Sequence, residues 1–312
     1  MAGRADCHLG RERGPAPLDE TMPDGARPRR IERARYAILM RIPGFIASVL
    51  SLALAGSCSA TAIPAKHAQV ELLSRQTAAS PGKELLLGVH FALEKGWHIY
   101  WVNPGDSGQP PAFKWQLPEG FVAGDIQWPR PERMQSSPQL ADYGYHDDVL
   151  LVVPVRTPTS LGKTSGQLNF GVEAKWLICR EVCLPDQAQM HLSLSTSSAA
   201  GDNPATAQLF AGADNLVPRP LPRTWKASAI SRKDDFLLQI RAGKAIAKAE
   251  FFPLQPAQID NAAPQQLQPA AQGLKIVLKK SDFLLKPIQV LRGVLVLPGG
   301  DVYRVEAPVR QE

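Results

Sequence analysis

Residues 166–195 have the sequence GQLNFGVEAKWLICREVCLPDQAQMHLSLS. Val, Leu, Phe and Trp dominate the two segments 166–178 and 189–195, which are therefore predicted to be β-strands. Cys179 follows the first segment directly, and only three residues separate it from Cys183. The cysteine pair is therefore expected at the tip of a β-hairpin, with a proline interrupting the chain before the second strand.

Short apolar segments continue on the amino-terminal side of this hairpin, separated by Pro, Gly, Asn and Asp, which favour turns. The remaining predicted strands of this region lie at 69–74, 84–93, 97–102, 112–117, 124–128 and 148–155. Seven or eight strands at this spacing favour a β-sandwich. We assign the first domain to residues 65–198.

The carboxy-terminal part begins with a linker at 199–222. Asn203 as N-cap and Pro204 at the first helical position predict a short helix over 205–210. Residues 223–312 form a second, smaller β domain, and they contain neither cysteine nor histidine. Its strands are predicted at 225–231, 236–241, 247–253, 274–279, 288–297 and 301–307.

The amino terminus looks unlike the rest of the chain. Residues 1–39 are rich in Arg, Pro and Gly without apolar periodicity, and they are interpreted as a disordered or mis-annotated leader. Residues 40–62 have the positive, apolar and small-residue regions of a Sec-type signal peptide. The alternatives are an uncleaved membrane anchor and a lipoprotein anchored at Cys58. The lipobox of that lipoprotein would be poor, because Ala55 stands three residues before the cysteine where Leu is expected.

Charge and hydropathy exclude some classes of partner. Residues 1–41 hold nine arginines and six carboxylates, which account for half of the formal net charge of +6. The nearly balanced remainder argues against a nucleic acid partner. No later apolar stretch is long enough to cross a bilayer, so the mature protein is expected in an oxidising, extracytoplasmic space such as the periplasm.

The close cysteine pair has three interpretations. A bridge over so short a loop adds only about 2 kcal/mol in the chain-entropy model, a weak reason for a structural disulfide. At an exposed turn it is instead easily reduced, which favours thiol–disulfide exchange. A Cu(I) site is the third interpretation, because thiolates and thioethers suit that ion; its ligands would be Cys179, Cys183, Met190 and His191.

Several motifs in the chain resemble one known family. The segments are EKGWHIYWVNPGDSG (94–108), IQWP (126–129), DYGY (142–145) and WLICREVCLP (176–185), with FFPL (251–254) and IDNAAPQ (259–265) further on. In this order they resemble the N-terminal periplasmic domain of the thiol:disulfide interchange protein DsbD, in its ScsB-like variant. The chain is similar to a stand-alone version that lacks the transmembrane and thioredoxin parts.

The resemblance implies an immunoglobulin-like β-sandwich whose cysteines, Cys179 and Cys183, are catalytic and alternate between dithiol and disulfide. It implies a protein-disulfide reductase without metal or cofactor. Its donor would be a membrane thiol reductase of the DsbD/CcdA type, and its acceptors periplasmic thioredoxin-like or disulfide isomerase proteins, including those of cytochrome c biogenesis. The ScsB-type proteins share the three-residue spacing, whereas the best-known DsbD domain has five.

The resemblance also implies supporting residues around the pair. A cap would be formed by Asp142, Tyr143 and Tyr145, and the other supporting residues would be His98, Tyr100, Trp176 and Pro185. Some of them have a simpler interpretation: Trp176 as core, Tyr143 and Tyr145 as an ordinary turn, and His98 as a surface or satisfied core group. From the sequence, either cysteine can be the nucleophile. A non-catalytic β-sandwich module with a structural disulfide remains the alternative, together with copper handling.

Overall fold

The computed structural model describes residues 62–160 and 166–312. The predicted leader, and the predicted signal peptide except its last residue, lie outside this range. The strands of the first half are β1 (Ile63–Ala65), β2 (Ala68–Ser74), β3 (Ala78–Ala79), β4 (Glu84–Leu93), β5 (His98–Gly105), β6 (Ala112–Gln116), β7 (Val122–Ala123), β8 (Glu132–Ser137), β9 (Leu140–His146), β10 (Asp148–Arg156), β11 (Leu168–Cys179) and β12 (Cys183–Thr196).

These strands form two sheets packed face to face. One sheet has the order β1-β2-β4-β10-β7, and the other has the order β3-β12-β11-β5-β9-β8, with β6 also pairing with β11. Large side chains with less than 2 % exposure, among them Phe91, Trp101 and Phe170, fill the space between the sheets. Burial of this apolar surface is the main stabilising contribution. The prediction of an all-β chain with an immunoglobulin-like sandwich is confirmed.

The second half adds a short helix and a third sheet. The helix is α1 (Ala207–Leu216), and the strands are β13 (Arg219–Pro220), β14 (Lys226–Ser231), β15 (Asp235–Arg241), β16 (Glu250–Pro253), β17 (Gln266–Ala270), β18 (Gly273–Lys279), β19 (Val290–Val296) and β20 (Val302–Gln311). The sheet order is β16-β19-β20-β14-β15-β18-β17, with β13 beside β20. This sheet has its own apolar core, but Phe252 and Val294 join the core of the sandwich.

The helix begins two residues later than the sequence predicted. The Asn203 side chain accepts a hydrogen bond from Ala205 N at 3.1 Å, which closes a turn before the helix and does not cap the helix itself. Thr206 is the residue at the N-cap, and its hydroxyl donates to Ser74 O at 2.8 Å. Phe210 and Ala213 then pack on the outer face of the first sheet. The helix therefore starts two residues after the predicted position, where Thr206 and Phe210 make contacts with the first sheet.

Two strand predictions were wrong. The segment 124–128 contributes only an isolated bridge, between Gln127 and Val152, where a strand was expected. The second strand of the cysteine hairpin begins at Cys183 and passes through Pro185, where an interruption was expected. Pro185 fits at this position because β12 has no paired strand there on the side away from β11. No ladder hydrogen bond therefore needs the N–H that proline lacks.

Candidate functional site

The disulfide joins two directly opposed residues of the β11–β12 hairpin. Cys179 and Cys183 are register partners with Cα atoms 4.1 Å apart, and the disulfide bond between them is formed. The loop that connects the strands is Arg180–Glu181–Val182, closed by a hydrogen bond from Arg180 N to Val182 O at 3.2 Å. The turn required for two residues four apart to meet is thus a three-residue hairpin loop.

The two cysteines differ sharply in accessibility. Cys179 is 2 % exposed, whereas Cys183 is an exposed residue at the start of its strand. The loop beside it is also exposed, including Val182 at 61 %. A partner can therefore reach the Cys183 side of the bridge, while Cys179 is shielded by the protein.

Tyr100 is the side chain that contacts both sulfurs. Its hydroxyl lies 3.1 Å from Cys179 Sγ, to which it donates, and 3.4 Å from Cys183 Sγ. The ring is 1 % exposed, and burial raises the pKa of Tyr100 above its ordinary value. The hydroxyl therefore stays protonated at neutral pH and remains a donor toward sulfur.

Two histidines lie on the same face of the sheet. His98 is the register partner of both Cys179 and His146, and the two imidazole centroids are 5.5 Å apart. Burial, and then the neighbouring His146, lower the pKa of His98, while Asp142 opposes the shift. His98 Nε2 is buried and has no hydrogen-bond partner within the described residues. A neutral imidazole next to a cysteine can accept the proton of a thiol.

The segment between β5 and β6 covers Tyr100 from outside. Gly108 has φ +79° and lies so close that a Cβ there would collide with the Tyr100 ring. Ser107 fixes this segment by donating from its backbone N and its hydroxyl to the buried Asp142 carboxylate, at 2.8 and 2.9 Å. Asp142 therefore holds Ser107, the residue before Gly108, and it has no hydrogen bond to the sulfurs.

Arg180 carries a positive charge in the hairpin loop, next to Cys179 in the sequence. Its guanidinium lies 5.1 Å above the Trp97 ring, and His67 stacks on the same ring at 3.8 Å. Cation–π contact holds this side chain beside the hairpin loop. Lys175 forms an ion pair with Glu173 at 2.9 Å, so its charge is largely compensated.

Several predicted site residues do not contact the disulfide. The Tyr143 hydroxyl donates to Asn261 Oδ1 at 3.0 Å, and the Tyr145 hydroxyl donates to Pro129 O at 2.9 Å. Both rings are buried in the sandwich core, as is Trp176, which packs edge-on against Phe91. Because Gly144 is the register partner of Tyr100, strand alternation directs both neighbouring tyrosines to the opposite face of the sheet.

The copper interpretation also loses its ligand set. Met190 and His191 lie seven and eight residues after Cys183 on the same strand, which places them at least about 20 Å away along β12. Across the described ranges, no group of three or more His, Cys, Asp or Glu side chains could hold a metal ion. The four-residue Cu(I) site considered above therefore does not assemble.

An open groove lies along the same hairpin as the disulfide. Leu177 and Pro185 are opposite each other, two residues from the cysteines and on the same face. With Lys66, Gln109, Pro110 and other neighbours they line a groove of about 640 Å³. Lys66 donates to Pro185 O at 3.0 Å and so fixes one wall. A partner that reached Cys183 would find this mainly apolar surface beside it.

Comparison with known proteins agrees with this geometry. Residues 69–195 match the family model described as thiol:disulfide interchange protein DsbD, N-terminal. The structure is similar to that of the N-terminal periplasmic domain of ScsB from Proteus mirabilis, with a TM-score of 0.60 and 16 % identity, covering 82 % of this chain and 98 % of that one. This chain therefore contains a DsbD N-terminal-like domain.

Other comparisons add little. The periplasmic chaperone SfaE aligns with a TM-score of 0.21 and 9 % identity over 77 % of this chain and all of that one, too low a score to indicate a shared fold. No curated protein matches the chain significantly. In the part of the chain that the structure describes, no helix is long and apolar enough to span a bilayer.

Proposed function

We propose that this protein exchanges thiols and disulfides with other proteins in the periplasm through Cys179 and Cys183. It would take electrons from a membrane thiol reductase of the DsbD/CcdA type and reduce thioredoxin-like or disulfide isomerase proteins, such as those of cytochrome c biogenesis. The observation that carries this proposal is the asymmetric disulfide: one cysteine is exposed, and the other is shielded and accepts a hydrogen bond from Tyr100. The family match supports the chemistry, and the periplasmic ScsB relative supports the compartment.

The exposure difference supports a separate role for each sulfur in this proposal. In the oxidised protein, a donor thiolate attacks Cys183 Sγ, the Cys179–Cys183 bond breaks, and Cys179 leaves as a thiolate. A second thiol of the donor then attacks the donor sulfur of this mixed disulfide. The donor leaves as a disulfide, and this protein keeps two thiols. The two electrons now reside on Cys179 and Cys183.

The second half-reaction uses the same sulfurs in reverse. The Cys183 thiolate attacks the partner's disulfide, one partner sulfur leaves, and a mixed disulfide forms. Cys179 then attacks Cys183 Sγ, which re-forms the internal bridge and releases the second partner sulfur as a thiol. In this scheme the Tyr100 hydroxyl stabilises the Cys179 thiolate by donating to it, and the neutral His98 imidazole takes up a proton.

Trapping tests this assignment directly. In the Cys179→Ala variant, Cys183 can attack a partner but cannot be released, so a covalent adduct with an oxidised thioredoxin-like protein should accumulate. The matched Cys183→Ala variant keeps only the shielded cysteine and should give far less adduct. Non-reducing electrophoresis and mass spectrometry of the adduct provide the measurement. Absence of adduct with both variants would contradict the exchange function.

A titration in glutathione buffers separates exchange from a structural disulfide. An exchanging pair should titrate at a potential that biological thiols can reach, whereas a structural bridge typically lies below about −300 mV. The fraction of reduced protein is read by alkylation and mass spectrometry. A bridge that stays oxidised throughout the glutathione range would favour the non-catalytic module.

A further inference from the structure

A turn of the third sheet reaches the sandwich through one buried asparagine. Asn261 is 5 % exposed and lies in the turn between β16 and β17. Its Nδ2 donates to Asp106 Oδ1 at 2.7 Å, and its Oδ1 accepts the Tyr143 hydroxyl at 3.0 Å. Arg133 also donates to the Asn261 carbonyl, through Nε at 2.9 Å and Nη2 at 2.6 Å. Every polar group of this residue's side chain therefore bonds to the sandwich.

The turn that carries Asn261 is itself fixed. Asp260 Oδ1 accepts hydrogen bonds from the backbone N–H groups of Ala262 and Ala263, at 3.1 and 3.0 Å. Its other oxygen accepts from Lys279 Nζ at 2.8 Å, which ties the turn to β18. Partial burial raises the pKa of Asp260, but the hydrogen bond from Lys279, followed by those from the backbone N–H groups, outweighs it and leaves that pKa below its ordinary value. Asn261 is thus presented on a preorganised support.

From Asp106 a short chain of contacts leads to the sulfurs. Asp106 Oδ2 accepts from Ala141 N at 2.8 Å, and the next residue, Ser107, is held by the Asp142 carboxylate. Gly108 follows and packs on the Tyr100 ring, whose hydroxyl contacts both sulfurs. Residues 106–111 belong to no strand. Their position over Tyr100 therefore depends on these side-chain bonds, together with one backbone bond from Asp106 N to Ala141 O at 3.1 Å.

We propose that Asn261 is a positioning residue for the disulfide. By holding Asp106 it keeps residues 106–108 packed on Tyr100, and so the third sheet becomes a working part of the redox site. This inference rests on the proposed exchange function. Under this proposal the cysteine-free part of the chain acts through Tyr100. It helps to stabilise Cys179 as the leaving thiolate when a thiol attacks Cys183.

Asn261→Asp tests the link with little change in volume. The substitution keeps an acceptor for Tyr143 but replaces the donor to Asp106 with a carboxylate, so that two negative charges face each other. We expect reduction of the disulfide by dithiothreitol at low salt to be about 2- to 5-fold slower, because a loosened Tyr100 stabilises the leaving thiolate less. Asn261→Ala should slow it in the same direction.

The matched control is Gln265→Ala. Gln265 also lies in the second half and loses two hydrogen bonds to the Phe251 backbone, at 2.9 and 2.6 Å, but it has no bond to residues 106–108. It should reduce at the wild-type rate even if its thermal midpoint falls. A general loss of stability would instead slow or accelerate both variants together.

A double-mutant cycle decides whether the effect passes through Tyr100. In a Tyr100→Phe background, Asn261→Asp should cause no further slowing, because the hydroxyl it positions is already gone. Independent, additive effects would overturn the inference, as would folded Asn261 variants with wild-type rates. Slowing by Tyr100→Phe with no effect of Asn261→Asp refutes this inference alone, whereas a wild-type disulfide that no thiol reduces refutes the proposed function as well.

Discussion

Removing one buried hydroxyl should slow disulfide exchange measurably. Tyr100→Phe keeps the ring beneath Gly108 but deletes the group that donates to Cys179 Sγ at 3.1 Å. Because Cys179 is shielded and Cys183 is exposed, attack at Cys183 makes Cys179 the leaving group. The variant therefore loses a donor at the sulfur on which negative charge develops.

The size of the effect follows from the strength of that hydrogen bond. A bond to a charged group contributes about 1.5–3 kcal/mol, and roughly half of the thiolate charge is developed in the transition state of exchange. The barrier should therefore rise by about 0.7–1.5 kcal/mol, which corresponds to a rate about 3- to 10-fold lower. Loss of the donor should also raise the pKa of the Cys179 thiol in the reduced protein.

Dithiothreitol under pseudo-first-order conditions is the suitable reductant, because it is small and needs no docking surface. Samples are quenched with an alkylating reagent, and the reduced fraction is measured by mass spectrometry. Tyr145→Phe is the matched control: it removes another buried hydroxyl, bonded to Pro129 O at 2.9 Å, from the core face of the adjacent strand. Equal rates for Tyr100→Phe and wild type, or equal slowing in both variants, would refute the reasoning.

Three further changes test other parts of the structure. Burial lowers the pKa of His98, so the unfolded chain binds the imidazole proton more readily, and stability falls as the pH drops below about 6.5. The urea midpoints at pH 7.5 and pH 5 should therefore differ less in His98→Gln than in wild type. An equal difference in the two proteins would contradict this. Gly108→Ala places a Cβ against the Tyr100 ring at positive φ and should lower the free energy of unfolding by about 1–3 kcal/mol in urea titrations; an unchanged value would argue against the close packing. Phe252→Ala empties a site where the third sheet enters the sandwich core and should cost about 3–5 kcal/mol by the same measurement, with a loss under 1 kcal/mol as the contrary outcome.

Local patterns predicted much of the fold. The apolar runs at 84–93 and 148–155 became the long paired strands β4 and β10, and the cysteine pair lies at a hairpin tip as expected. The strand β8 was missed because its residues, Glu132–Ser137, are polar and largely exposed, and only its pairing with β9 makes it a strand. Segment 124–128 failed for the opposite reason: its apolar residues pack on the core without forming a ladder.

The site was predictable only in part, for a physical reason. Cys179, Cys183 and Tyr100 lie in recognisable motifs, and the structure brings these three together. The resemblance implies a cap role for Tyr143 and Tyr145, and the structure has both side chains on the face of their strand opposite to that of Gly144, the register partner of Tyr100. Asn261 lies in the IDNAAPQ motif, but the motif does not indicate its role, because that role depends on contacts with residues more than 100 positions away.

The register of the hairpin explains how so short a spacing permits a bridge. Pro185 has no N–H, so the pair Leu177–Pro185 is compatible only with the non-hydrogen-bonded type of antiparallel pair. Pairs two residues further along are of the same type, which makes Cys179–Cys183 a non-hydrogen-bonded pair, the kind in which opposed side chains are closest. Cys179 faces Tyr100 because the whole of β11 is already fixed by pairing with β12 and β6. Since that pairing holds the two strands together without the sulfur bond, breaking the bridge leaves the hairpin in place, ready to form it again, and this is the property that repeated exchange requires.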